Sequence, residues 1–165
     1  MNSVPPTNII NKSIREHLTD LIRGGHAHAK FEQAVEKLSP ELATTSLNNL
    51  PYTIWELIEH IRIVQFDILD FCRNRDYKTP NWPDDYWPKS KSATIADLQN
   101  SIKQIHQDRV DFLSILNDDD SELYEALPNG DGQNLFREAL LIADHTSYHT
   151  GQIILMRKIL GDWEG

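Results

Sequence analysis

What most constrains this chain is a spacing: apolar residues recur at alternating steps of three and four through four long segments, and no segment alternates residue by residue. That period belongs to helices that bury one stripe, and nothing reads as a strand. The first segment covers residues 12–38, with Ile14, Leu18, Leu21, Gly25, His28, Glu32 and Val35 on its seam, and Pro40 follows its end. Inside it, Gly24 and Gly25 each cost roughly 1 kcal/mol in a helix interior. They point to a kink, a close helix contact or room for a ligand. The second segment covers 53–75, with Thr53 and Glu56 at capping-box spacing and Ile54, Leu57, Ile61, Val64 and Ile68 on its seam. The third covers 94–117, capped by Thr94 or Ser92, with Ile95, Leu98, Ile102, Ile105, Arg109, Phe112 and Leu116 on its seam. The fourth covers 134–160 and stops at Gly161; its seam is Ile142, His145, His149, Gln152, Met156 and Ile159.

The connection between the second and third segments, residues 76–93, contains Trp82, Pro83, Tyr86, Trp87 and Pro88. Fully extended it could span ~60 Å, against ~35 Å for the preceding helix. It can therefore cross the whole assembly and let those two helices run parallel, with its two tryptophans packed on the surface. The expectation is an all-α fold: a single domain, residues 1–165, forming a four-helix bundle with a long crossover connection between helices 2 and 3.

Composition narrows the partners. The 16 basic residues against 25 acidic ones give a net charge of −9, which argues against nucleic acid. No apolar run is long enough to span a bilayer. Residues 1–11 lack the basic and apolar regions of a secretory signal. The single cysteine, Cys72, excludes an internal disulfide and suits a cytoplasmic protein; the thiol reads as buried and inert.

A bundle seam should be apolar, so polar seam residues carry the functional signal. His145 and His149, four apart, project from one face of the fourth helix about one turn from each other. That spacing suits two ligands of one zinc, nickel or similar ion. Two partly exposed or hydrogen-bonded histidines are the plainer alternative. His60 borders the second seam, either as a third ligand or bonded to Glu56 or a backbone carbonyl. Three histidines with an open fourth position would make a reactive site. His28 could be a fourth ligand, a group supporting the ligands, a general base, or a core histidine bonded to Glu32 or another helix. Arg109 could bind an anionic substrate or pair with a carboxylate. Asp67 could orient a ligand, Asp144 reads as a surface charge or helix contact, and His17, His26 and His106 read as surface residues.

The segments Pro51-Tyr52-Thr53-Ile54-Trp55-Glu56-Leu57-Ile58-Glu59-His60-Ile61 and Ala143-Asp144-His145-Thr146-Ser147-Tyr148-His149-Thr150-Gly151-Gln152-Ile153 resemble the second- and fourth-helix motifs of the DinB/YfiT-like superfamily. The resemblance implies a metal ion on His60, His145 and His149, and often a homodimer. It also implies a metal-dependent enzyme, either a transferase using a low-molecular-weight thiol as co-substrate or a hydrolase. Gly24 to His28 and the tryptophan-rich connection fall outside the general pattern. A non-catalytic metal-stabilised bundle and a small-ligand-binding protein, with Trp82 and Trp87 lining its pocket, are the competing expectations.

Overall fold

A computed structural model describes residues 7–48 and 50–163. The reading of residues 1–11 falls, for residues 1–6, outside the described residues. The described chain is all-helical, with six α-helices and no strand: α1 (Thr7–Arg23), α2 (Phe31–Ala34), α3 (Pro40–Ala43), α4 (Ile54–Arg73), α5 (Ile95–Leu116) and α6 (Leu135–Ile159). No helix among them is long and apolar enough to cross a membrane.

Local chemistry explains the starts of the long helices. Thr53 and Glu56 close a reciprocal capping box on α4, and Thr94 and Asp97 do the same on α5. The Asn134 side chain accepts the Arg137 N–H at the start of α6. Each such cap is worth about 1 kcal/mol. The end of α5 is held from a distance, by Arg15 donating to the carbonyls of Leu116 and Ser121.

One helix departs from expectation. The first segment is not continuous to residue 38. It stops at Arg23, because Gly24 and Gly25 take φ of +66° and +91°, a left-handed backbone that an α-helix cannot contain. The chain resumes as the short helices α2 and α3. Leu21, assigned to the seam, is 53% exposed, and Ile22 is buried in its place.

Four long helices pack together: α4 lies against both α5 and α6, and α1 against the same two. Their apolar stripes form two clusters. One joins Phe31, Leu38 and the start of α4 to Ile153 and Met156 of α6. The other joins Leu18 and Ile22 to Leu69, Phe112 and the start of α6, from Leu135 to Ala143. Along α6, residues 144–152 separate the two clusters, and they include His145, Thr146, Ser147, His149, Thr150 and Gln152. The polar interval on this helix is where the candidate site lies.

The connection after α4 is not a free strap. Tyr77 and Tyr86 both donate to the carboxylate of Asp67, at 2.7 and 2.8 Å. Trp55 donates to the Ser90 carbonyl at 3.0 Å. A short 3-10 turn, Asp84–Tyr86, lies against α4. Trp87 packs inward, whereas Trp82 remains 73% exposed.

Candidate metal centre

His60 and His149 are buried and His145 half-buried, and one ring nitrogen from each lies within 4.8 Å of the other two. Burial of an imidazole penalises its charged form. Burial lowers the proton affinity of all three rings, and neighbouring imidazoles add to it at His145, which is pushed down to about 3. The Tyr86 carbonyl partly offsets this at His60, and Gln152 does so at His149. Near neutral pH the three rings are therefore uncharged and carry lone pairs.

The hydrogen bonds decide where those lone pairs point. His60 Nδ1 lies 2.7 Å from the Tyr86 carbonyl, which only accepts. The proton of neutral His60 thus sits on Nδ1, and Nε2 is bare. Gln152 Nε2 donates to the Tyr52 hydroxyl at 3.0 Å, and its Oε1 faces His149 Nδ1 at 2.6 Å. His149 therefore donates through Nδ1 and also leaves Nε2 bare. Holding the outer nitrogen as a donor is how a protein prepares histidine for a metal. His145 Nε2 then faces His60 Nε2 at 3.1 Å. Two ligand bonds at a tetrahedral angle separate their donor nitrogens by about 3.4 Å, close to this distance. The donor set fits a divalent cation such as zinc or nickel.

Aromatic residues close the site. Trp87 stacks on the His60 ring with centroids 4.2 Å apart and planes 5° apart. Tyr52 in turn stacks on Trp87, with centroids 5.8 Å apart and planes 13° apart. Tyr52 consequently touches both supports, Trp87 over His60 and Gln152 beside His149. Tyr86 brings its carbonyl to His60 while its hydroxyl is held by Asp67.

Other sequence candidates fall elsewhere. His28 is not a seam residue of a helix; it is exposed on the loop after α1, where Nδ1 donates to the Ala29 carbonyl and Nε2 accepts from Ser147. It makes no contact with the three rings. Arg109 is buried and donates to Glu32 at 2.6 Å. His106, expected on the surface, is half-buried and 3.5 Å from the same carboxylate. His17, His26 and Asp144 are exposed. Cys72 is half-buried, with burial and Glu138 pushing its thiol up to about 12, which keeps it protonated. Asp67 acts at one remove, through Tyr86. Gln152 supports His149 from a seam position, and its polarity there is the one sign of that role in the sequence. Tyr52, Tyr86 and Trp87 reach the site only through the fold.

The sequence profile of the DinB superfamily matches residues 25–153, most of the chain and all three histidines. The chain belongs to the DinB superfamily. No curated protein and no solved structure matches it. Family and cluster together point to a divalent metal.

Proposed function

We propose that His60, His145 and His149 hold one zinc or nickel ion, and that the chain is a metal-dependent enzyme transferring a low-molecular-weight thiol to a small electrophilic substrate. The carrying observation is the tautomer lock: Tyr86 and Gln152 take the outer protons of two rings, so two bare nitrogens converge beside a third imidazole. When bound, such an ion lowers the proton affinity of a thiol or water held beside it. The chain's own residues orient and enclose. Trp87 covers one face of His60 with Tyr52 stacked on it in turn, and Gln152 and the Tyr86 carbonyl fix the planes of His149 and His60.

Thiol transfer is favoured over hydrolysis for two reasons. The DinB/YfiT resemblance includes thiol-dependent transferases, and no carboxylate is hydrogen-bonded to the three rings among the described residues to serve as a base. A hydrolase remains the second reading, because the same ion could activate water. The fold reading beneath this is a single-domain four-helix bundle with a crossover. Supporting pairs between α4 and α5 rise together, Glu59 with Ser101, Gln65 with Ile105 and Arg73 with Asp111, as parallel helices require. We further read the protein as a cytoplasmic homodimer; Tyr148, Leu155 and Ile159 form an exposed apolar stripe along α6 that a second copy would cover.

The test is metal analysis of untagged protein, followed by turnover of thiol and ester panels. About one ion per chain and metal-dependent loss of thiol in the presence of an electrophile are expected. Sub-stoichiometric metal would overturn the reading. Stoichiometric metal with a large drop in melting temperature on chelation, and no turnover of either panel, would favour a non-catalytic scaffold.

A further inference from the structure

The flank of α6 turned away from the three rings carries a second arrangement. An open cavity of about 600 Å³ lies between α1, the loop that follows it, and α6, a size suited to a small organic ligand. Ala143 and Ser147 line it, and they lie roughly 160° around the helix from His145 at 100° per residue. Leu21, Ile22, Phe31 and Leu140 supply an apolar wall. Leu21 and Leu140 are 53% and 40% exposed there, so an apolar body laid against them would remove that surface from water.

Charge is the more informative property. The chain carries −9 overall, yet Arg23, Lys30, Arg109 and Arg137 line this cavity against the single carboxylate of Asp144. Glu138 accepts from Arg137, and Glu32 from Nη1 of Arg109. Arg109 nevertheless keeps two N–H groups in reserve. It is only 8% exposed, and its Nε and Nη2 meet no acceptor among the described residues. A buried guanidinium proton without an acceptor is unfavourable. Both nitrogens are sealed from solvent, as is the unpaired second oxygen of Glu32, so a carboxylate reaches that edge by a turn of the Arg109 side chain towards the cavity it lines. Nε and Nη2 form the side edge of the guanidinium, which grips a carboxylate with two parallel bonds. The protein uses that edge elsewhere: Arg62 holds Glu59 through Nε and Nη2 at 2.7 and 2.9 Å.

We propose that this cavity binds a small amphiphilic carboxylate, its head on the Nε–Nη2 edge of Arg109 and its apolar body against Leu21, Ile22 and Leu140. The His28–Ser147 pair forms part of the polar rim at its mouth. The proposal does not depend on the metal reading, since none of the three histidines lines the cavity.

Isothermal titration calorimetry of the full chain with octanoate, octanol and acetate tests it. Octanoate is expected to bind with Kd below about 1 mM, and at least about tenfold more tightly than either octanol or acetate. Arg109→Gln removes the charge and the fork. Leu140→Glu places a like charge on the wall at a partly exposed position, and serves as the test where Arg109→Gln loses its fold. Each is expected to weaken octanoate by about tenfold or more. Octanoate binding no tighter than octanol, or unchanged in Leu140→Glu, overturns the proposal.

Discussion

His60 and His28 make an instructive pair. In the sequence each is a lone histidine at or beside a helical seam. In the structure His60 stands on an unbroken helix, buried, with Trp87 stacked on its face and the Tyr86 carbonyl fixing its proton. His28 lies beyond two left-handed glycines, exposed, and bonded to Ser147. Seam position therefore specifies a direction only while the helix lasts. What converts a seam histidine into a candidate ligand is the set of groups that fold over it, and those come from distant segments.

The largest contrast should appear in metal affinity. His60→Ala, His145→Ala and His149→Ala each remove one donor, and each should weaken metal binding by on the order of a thousandfold or more, beyond the 10–100-fold typical of lost supporting groups. His28→Ala should change it less than about twofold. Competition with a chromophoric chelator measures both. Equal losses from His28→Ala and His60→Ala would dissolve the distinction between the two residues.

A second contrast separates the ligands from their supports. Gln152→Leu frees His149 Nδ1 from its acceptor, and metal affinity should fall by roughly 10–100-fold. Asp67→Asn weakens the anchor of Tyr86 and acts on His60 only through the backbone, so its loss should be smaller, about tenfold or less. If Asp67→Asn matched Gln152→Leu, the connection would be holding His60 more firmly than its ring stacking implies.

Acid should reveal the same trio in metal-free protein. Burial lowers the proton affinity of all three histidines in the folded state, His145 to about 3, while the unfolded chain titrates near 6.5. Below that value the unfolded state binds more protons, so stability rises with pH. For His145 the linked stability is thus fully present above about pH 6.5 and is lost as the pH falls from there towards about 3, and His60 and His149 lose theirs in the same direction. Each full pH unit within the window costs at most about 1.4 kcal/mol per ring, less after solvent screening. Denaturant melts of chelated protein at several pH values should show the slope, and His145→Gln should reduce it. A flat profile would mean that the rings are open to water.

Much of this was legible in advance, for local reasons. Periodicity and capping residues are short-range signals, so α4, α5 and α6 lie within two residues of their expected limits. His145 and His149 were legible because they break an apolar pattern within a single helix. The roof over His60 was not, since Tyr86 and Trp87 belong to a connection whose path depends on Asp67 and Trp55 binding it back onto α4. The break after Arg23 was only half legible. Gly24 and Gly25 advertised an irregularity, but the apolar spacing continues through them to Val35, and periodicity carries no information about the sign of φ.

That ambiguity yields the smallest and most discriminating prediction, Gly24→Ala. In a continuous helix the change would stabilise the protein by about 1 kcal/mol, since alanine is the better helix former. At φ of +66° an alanine Cβ crowds its own backbone instead, which costs about 1–2 kcal/mol. Tertiary contacts do not blur the comparison, because a Cβ built on Gly24 meets nothing within 4 Å. Gly25 is the poorer choice, as its Cβ would collide with the Lys30 side chain and mix crowding with backbone strain. Gly24→Ala should therefore lower the unfolding free energy in urea by about 1 kcal/mol and leave metal affinity at the parental value. An increase in stability would mean that the first helix runs on through residue 24, which would return His28 to a seam and remove its contrast with His60.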